Sequence, residues 1–67
     1  MFRFLLKLED GERHNPAVFV TVAPNWAVGE TFLADAREQL RILAIDTEVE
    51  AEVAAQGINA VFTVEPV

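Results

Sequence analysis

The sequence predicts a mainly β fold: a small five-stranded barrel with one short helix before its last strand. Three observations lead there. Five short apolar runs fit within 67 residues. The runs either alternate apolar with polar positions or are rich in β-branched residues, both marks of strands. The one stretch of helical character, Thr47 to Gln56, lies between the fourth run and the fifth.

The first strand, Phe2 to Glu9, sets Phe2, Phe4, Leu6 and Leu8 on one face and Arg3, Leu5 and Lys7 on the other, the period of two of a half-buried strand. Asp10-Gly11 ends it, a pair that accepts positive φ and turns the chain. Glu12 to Pro16 reads as loop. The second strand, Ala17 to Val22, carries Val18, Val20 and Val22 on one face until Pro24-Asn25 interrupts it, because Pro cannot donate to a ladder. The third, Glu30 to Leu33, follows Val28-Gly29, and a polar tip at Asp35 to Glu38 leads to the fourth, Gln39 to Ile45. The last runs from Ile58 to Glu65 and stops at Pro66. Alternation then predicts a core of Phe2, Phe4, Leu6, Leu8, Val18, Val20, Phe32, Leu40, Ile42, Val64 and either Val61 or Phe62.

Asp46 to Gln56 has two readings. Acidic residues at 46, 48, 50 and 52 alternate with Thr47, Val49, Ala51 and Val53, which formally suits a strand. Helix is favoured because Ala and Glu dominate, because Thr47 and Glu50 have the spacing of a capping box, and because Gly57 stands where a helix end takes a left-handed residue. Val49 and Val53, four apart, then share the buried face. Four strands, a helical turn and a closing strand resemble the order of SH3-like barrels. An OB-like barrel is the alternative, but it carries its helix between the third and fourth strands, where this chain has a short loop. The polyproline groove of signalling SH3 domains is built from Tyr and Trp, and this chain has no Tyr and one Trp.

The segments Leu8-Glu9-Asp10-Gly11, Pro16 to Thr21, Ala23 to Glu30, Arg41 to Ile45 and Val64 to Val67 also resemble those of short bacterial proteins of this length that have no assigned activity. That resemblance implies a stand-alone small domain from a bacterial cytoplasm. It implies nothing about activity.

Composition narrows the possibilities. A chain of 67 residues is read as one domain, residues 1–67, and a domain of that size buries only about 60% of the surface its unfolded chain exposes. No Cys is present and there is a single His, so neither a disulfide nor a structural zinc site supplements the core. A 52% hydrophobic content and self-association are the remaining sources of stability. The first eight residues are too short and too interrupted by Arg3 and Lys7 for a signal-peptide core, and no apolar run approaches the roughly 18 to 20 residues of a membrane span. A cytoplasmic protein is therefore expected. A net charge of −6 opposes nucleic acid and anionic membrane as partners, and the basic residues Arg3, Lys7, Arg13, Arg37 and Arg41 are scattered.

No residue set has the spacing of a catalytic triad, a metal site or a phosphate loop, so no catalytic, metal or cofactor residues are assigned. His14 has no Ser or Cys anywhere in the chain to activate, and a solvated loop His is expected. Thr21 and Thr63 are read as strand residues and Thr47 as a helix cap. The acidic run Asp46, Glu48, Glu50, Glu52 lacks the glycine of a calcium loop and reads as a solvated helix face. Trp26, after a turn, either plugs one barrel end with its indole N–H on a carbonyl or anchors a partner. The plug is preferred, and the Ala23 to Gly29 loop, flanked by Phe19 and Phe32, is the first place to seek a ligand surface.

One anomaly remains. Leu5, Phe19, Leu43 and Ile45 fall on the second faces of their strands, whereas a small barrel buries one face of each. Together with Trp26 they form the expected interaction surface. The function expected is a small protein-interaction module acting by homodimerisation or by docking on a larger protein. A small-ligand-binding or accessory subunit of an enzyme is the first alternative, and a nucleic-acid-binding barrel, opposed by the charge, the second.

Overall fold

A computed structural model describes every residue except Ala36. The elements are β1 (Phe2–Leu8), β2 (Arg13–Thr21), β3 (Thr31–Leu33), β4 (Gln39–Asp46), α1 (Ala51–Ala54) and β5 (Ala60–Pro66). The protein is mainly β, with five strands and one short helix before the last, as the order of apolar runs predicts. All five strands form a single sheet in the order β2-β1-β5-β4-β3. β1 runs antiparallel to β2 and parallel to β5, while β3, β4 and β5 form an antiparallel meander.

The sheet curls into a half-barrel whose edge strands are β2 and β3. Side chains fill the gap between them: the Phe19 ring of β2 stacks on the Phe32 ring of β3 with centroids 4.3 Å apart. A β3 of only three residues is too short to ladder along the nine of β2, so packing replaces hydrogen bonds at the seam.

Register decides which residues enter the concave face. Phe4 lies beside Phe19 on one flank and Ala60 on the other, and Leu6 lies beside Phe62. The buried cluster is Phe4, Leu6, Phe32, Leu40, Ile42, Ala60, Phe62 and Val64, with Phe4 and Phe62 stacked at 4.3 Å. Phe62, not Val61, is the inward residue of β5. Val18 and Val20 do not belong to this core: they are 39% and 45% exposed, because the Phe4–Phe19 pairing turns the odd-numbered face of β2 inward. In β4 the register passes from Ile42–Val64 to Ala44–Thr63, so Leu43 is an extra residue. A bulge of that kind exchanges the two faces beyond it, which brings Ile45 opposite Phe62 and against the core.

Two elements, β2 and α1, begin four residues away from expectation, and β5 includes the Pro66 expected to stop it. β2 begins at Arg13 although Glu12 to Pro16 reads as loop in the sequence. An edge strand tolerates a proline whose missing N–H would face away from the ladder. The helix is one turn, Ala51–Ala54, with Glu50 at its N-cap and no side-chain cap hydrogen bond. Thr47 is not the cap, because Asp46 takes over the local backbone by accepting the Glu48 N–H at 2.9 Å, the competing turn that Asp favours. Gly57 does close the turn with φ +85°, its N–H donating to the Ala54 carbonyl at 2.9 Å. Of the polar tip at Asp35 to Glu38, Ala36 lies outside the described residues; Asp35 accepts the backbone N–H groups of Arg37 and Glu38.

Candidate interaction edge and aromatic pocket

The five residues expected to form one interaction surface divide, three packing against the core and two not. Phe19 and Ile45 pack against the core, and so does Trp26. Trp26 plugs the seam: its ring meets those of Phe19 and Phe32 edge-on at 5.3 and 5.8 Å, and its indole N–H donates to the Ala23 carbonyl at 2.8 Å. Leu5 stays on the convex face of β1, beside Val61, where Val49 and Val53 from the helical segment line the same recess. Leu43 is half-buried at the bulge. Register and one inserted residue therefore account for much of the apolar surplus inferred from alternation.

A different apolar surface takes its place. On β2 the exposed apolar side chains are Val18 and Val20, with Val22 just beyond at 76% exposure. β2 is hydrogen-bonded to β1 alone. Edge strands are normally blunted by charge, proline or irregular pairing. In β2 the register irregularity opposite Leu5 to Lys7 and Pro16 protect the N-terminal half, while Ala17 to Thr21 carries no such device. Sequence reasoning missed this edge, yet a signal was present: from His14 to Gly29 there is no Asp, Glu, Lys or Arg.

His14 also departs from the sequence expectation. It lies on β2, 7% exposed, rather than in a solvated loop. Its Nδ1–H donates to the Pro16 carbonyl at 2.9 Å, and Nε2 pairs with the Glu38 carboxylate. Since Glu38 immediately precedes β4, this contact clasps β2 to the far side of the half-barrel, below the Phe19–Phe32 stack. A buried polar side chain with both nitrogens partnered costs little to keep and more to disrupt. That arrangement makes His14 a seam residue, with no nucleophile beside it.

At the other end of the concave face a recess of about 290 Å³ opens. Phe4, Phe62, Trp26 and Ile45 wall it, and Thr47 and Asn59 are its polar residues. The acidic run offers no comparable enclosure: Asp46, Glu48, Glu50 and Glu52 are all exposed, and among the described residues no three His, Asp or Glu side chains converge as metal ligands would. Among the described residues no helix is long and apolar enough to cross a membrane. Comparison with known proteins finds no matching family model, no similar curated protein and no similar solved structure.

Proposed function

We propose that the protein is a small interaction module that self-associates edge to edge, β2 pairing antiparallel with β2 of a second copy. The free edge at Ala17 to Thr21, with Val18 and Val20 exposed beside it, is the observation that carries this reading. Two such edges brought together satisfy outward backbone groups that otherwise face water and cover the valines of both chains. The charge pattern favours a second copy. In a chain of net charge −6, like-charge repulsion opposes most face-to-face contacts, whereas antiparallel pairing centred on Phe19 opposes only uncharged residues. Association also gives a 67-residue chain without disulfides a stability that its small core lacks. The same edge suits an extended strand offered by a larger protein, the docking form of this reading. It sits comfortably on a small SH3-like barrel of a bacterial cytoplasm, the origin that the sequence resemblance implies.

Light scattering tests it. At high micromolar concentration the wild-type mass is expected to be twice the 7.4 kDa of the chain. Val18→Lys with Val20→Lys should return it to 7.4 kDa while leaving the strand signal of circular dichroism intact, because both side chains point away from the core. A wild-type mass of one chain at that concentration overturns self-association.

A further inference from the structure

The recess at the Trp26 end of the concave face has the composition of a ligand site, and it lies on the opposite side of the sheet from Val18 and Val20. The recess opens to solvent beside Pro24, Thr47 and Asn59, and Ala60, buried in the middle of the sheet beside Phe4, is its smallest lining residue. The recess measures about 290 Å³, and an apolar cavity of about 150 Å³ already admits a benzene ring. We propose that it binds a neutral, single-ring aromatic molecule that carries a hydrogen-bond acceptor such as a carbonyl oxygen.

Each part of that description follows from the walls. The accessible wall is apolar, with Phe2, Pro24, Trp26 and Ile45 around the buried Phe4 and Phe62, and suits a flat apolar ring. No charged side chain lines the recess, so an ionised ligand would lose hydration without gaining a counter-charge, and the net charge of −6 disfavours anions further. The acceptor is specified by Asn59. Its Oδ1 accepts the Arg3 N–H at 3.0 Å, and its own backbone N–H donates to the Arg3 carbonyl at 2.8 Å. The first of these bonds turns the Oδ1 end of the side-chain amide to the strand, leaving the NH2 group as the uncommitted donor. Asn59 and Thr47 are solvent-exposed, so they stand at the mouth, where the polar end of a ligand would lie. A concave apolar site with a few placed polar groups is the usual form of a small-molecule pocket.

Trp26 is the only Trp, so its indole N–H resonance reports directly on the recess. Benzamide titrated into the 15N-labelled full chain should shift the Trp26 Nε1–H and Asn59 side-chain amide signals together and saturably, with a dissociation constant of about 1 mM or below, as for a weakly held fragment. Benzoate and benzylammonium should bind at least about tenfold more weakly. Asn59→Asp keeps an acceptor for the Arg3 N–H but removes the NH2 donor, and should weaken benzamide binding by about tenfold. Thr47→Phe, at an exposed position, should abolish binding by filling the mouth while leaving circular dichroism unchanged. Absence of a saturable shift by about 10 mM, equal affinity for benzoate, or unweakened binding by Asn59→Asp overturns the proposal. None of these outcomes depends on the mass of the protein in solution, so this site and the β2 edge stand or fall separately.

Discussion

β1 and β2 are neighbouring strands with the same period of two, and they use it in opposite senses. In β1 the even-numbered residues Phe4 and Leu6 are buried at 5% and 0% exposure. In β2 the even-numbered valines face out and the odd-numbered Phe19 faces in. Alternation identifies a strand and divides its residues between two faces, but it does not say which face is the core. For β1, bulk decides: two Phe and two Leu against Arg3, Leu5 and Lys7 leave one choice. For β2, two Val compete with one Phe, and the single large ring prevails because it stacks on Phe32 and meets Trp26. Burying one aromatic ring in an aromatic cluster outweighs burying two β-branched residues at an edge.

Substitutions can break or sharpen that contrast. The largest effect is expected at β1, where Phe4→Ala removes a ring stacked on Phe62 and should cost about 3 to 5 kcal/mol, enough to unfold a domain of this size. Near-wild-type chemical denaturation would put the core elsewhere. In β2 the contrast lies within one strand: Phe19→Ala should cost about 2 kcal/mol, its ring being only half-buried, while Val20→Ala should stay within about 0.5 kcal/mol in the dissociated chain. Equal losses for the two would mean that the faces are not distinguished. The clasp that holds β2 across the half-barrel is tested by His14→Ala, expected to cost about 1 to 2 kcal/mol through the lost bonds to Pro16 and Glu38. No change in the denaturation midpoint would show that His14 is a spectator. At the helical turn, Gly57→Ala should cost about 1 kcal/mol from its φ of +85° alone, since an added Cβ meets only Arg3 side-chain atoms at 3.8 Å and beyond. The smallest effect is at Thr47. Thr47→Ala should stay within about 0.5 kcal/mol because its hydroxyl caps nothing; a loss of 1 kcal/mol or more, the typical value of a cap, would restore the longer helix.

Local signals carried much of the fold. Gly11 and Gly57, both at positive φ, stand where the sequence predicts turns, and five apolar runs became five strands. What escaped was non-local. The parallel pairing of β1 with β5 depends on residues more than fifty apart in sequence and leaves no periodic mark. The bulge at Leu43 reverses the faces of β4 in its middle, so a strict period of two places Ile45 on the wrong side. Asp46 competed with Thr47 for the backbone ahead of α1 and won, shortening the helix to a turn. The candidate site was the least legible. Pro24 and Trp26 of the Ala23 to Gly29 loop line the recess, whereas Asn59 is a donor only because Arg3 occupies its other end, a relation no local pattern encodes. His14 departs from expectation because Pro16 argues for a loop, and an edge strand is one of the sheet positions where that argument fails.

The inward turn of Phe19 underlies the core, the closed seam and the exposed valine edge together, and nuclear Overhauser contacts at its ring test it most directly. The account predicts contacts from the Phe19 ring protons to the Phe32 ring and the Trp26 indole, with none from the Val18 or Val20 methyl groups to Phe32 or Phe62. Contacts from those valines to Phe32 or Phe62, with Phe19 silent toward both Phe32 and Trp26, would contradict it.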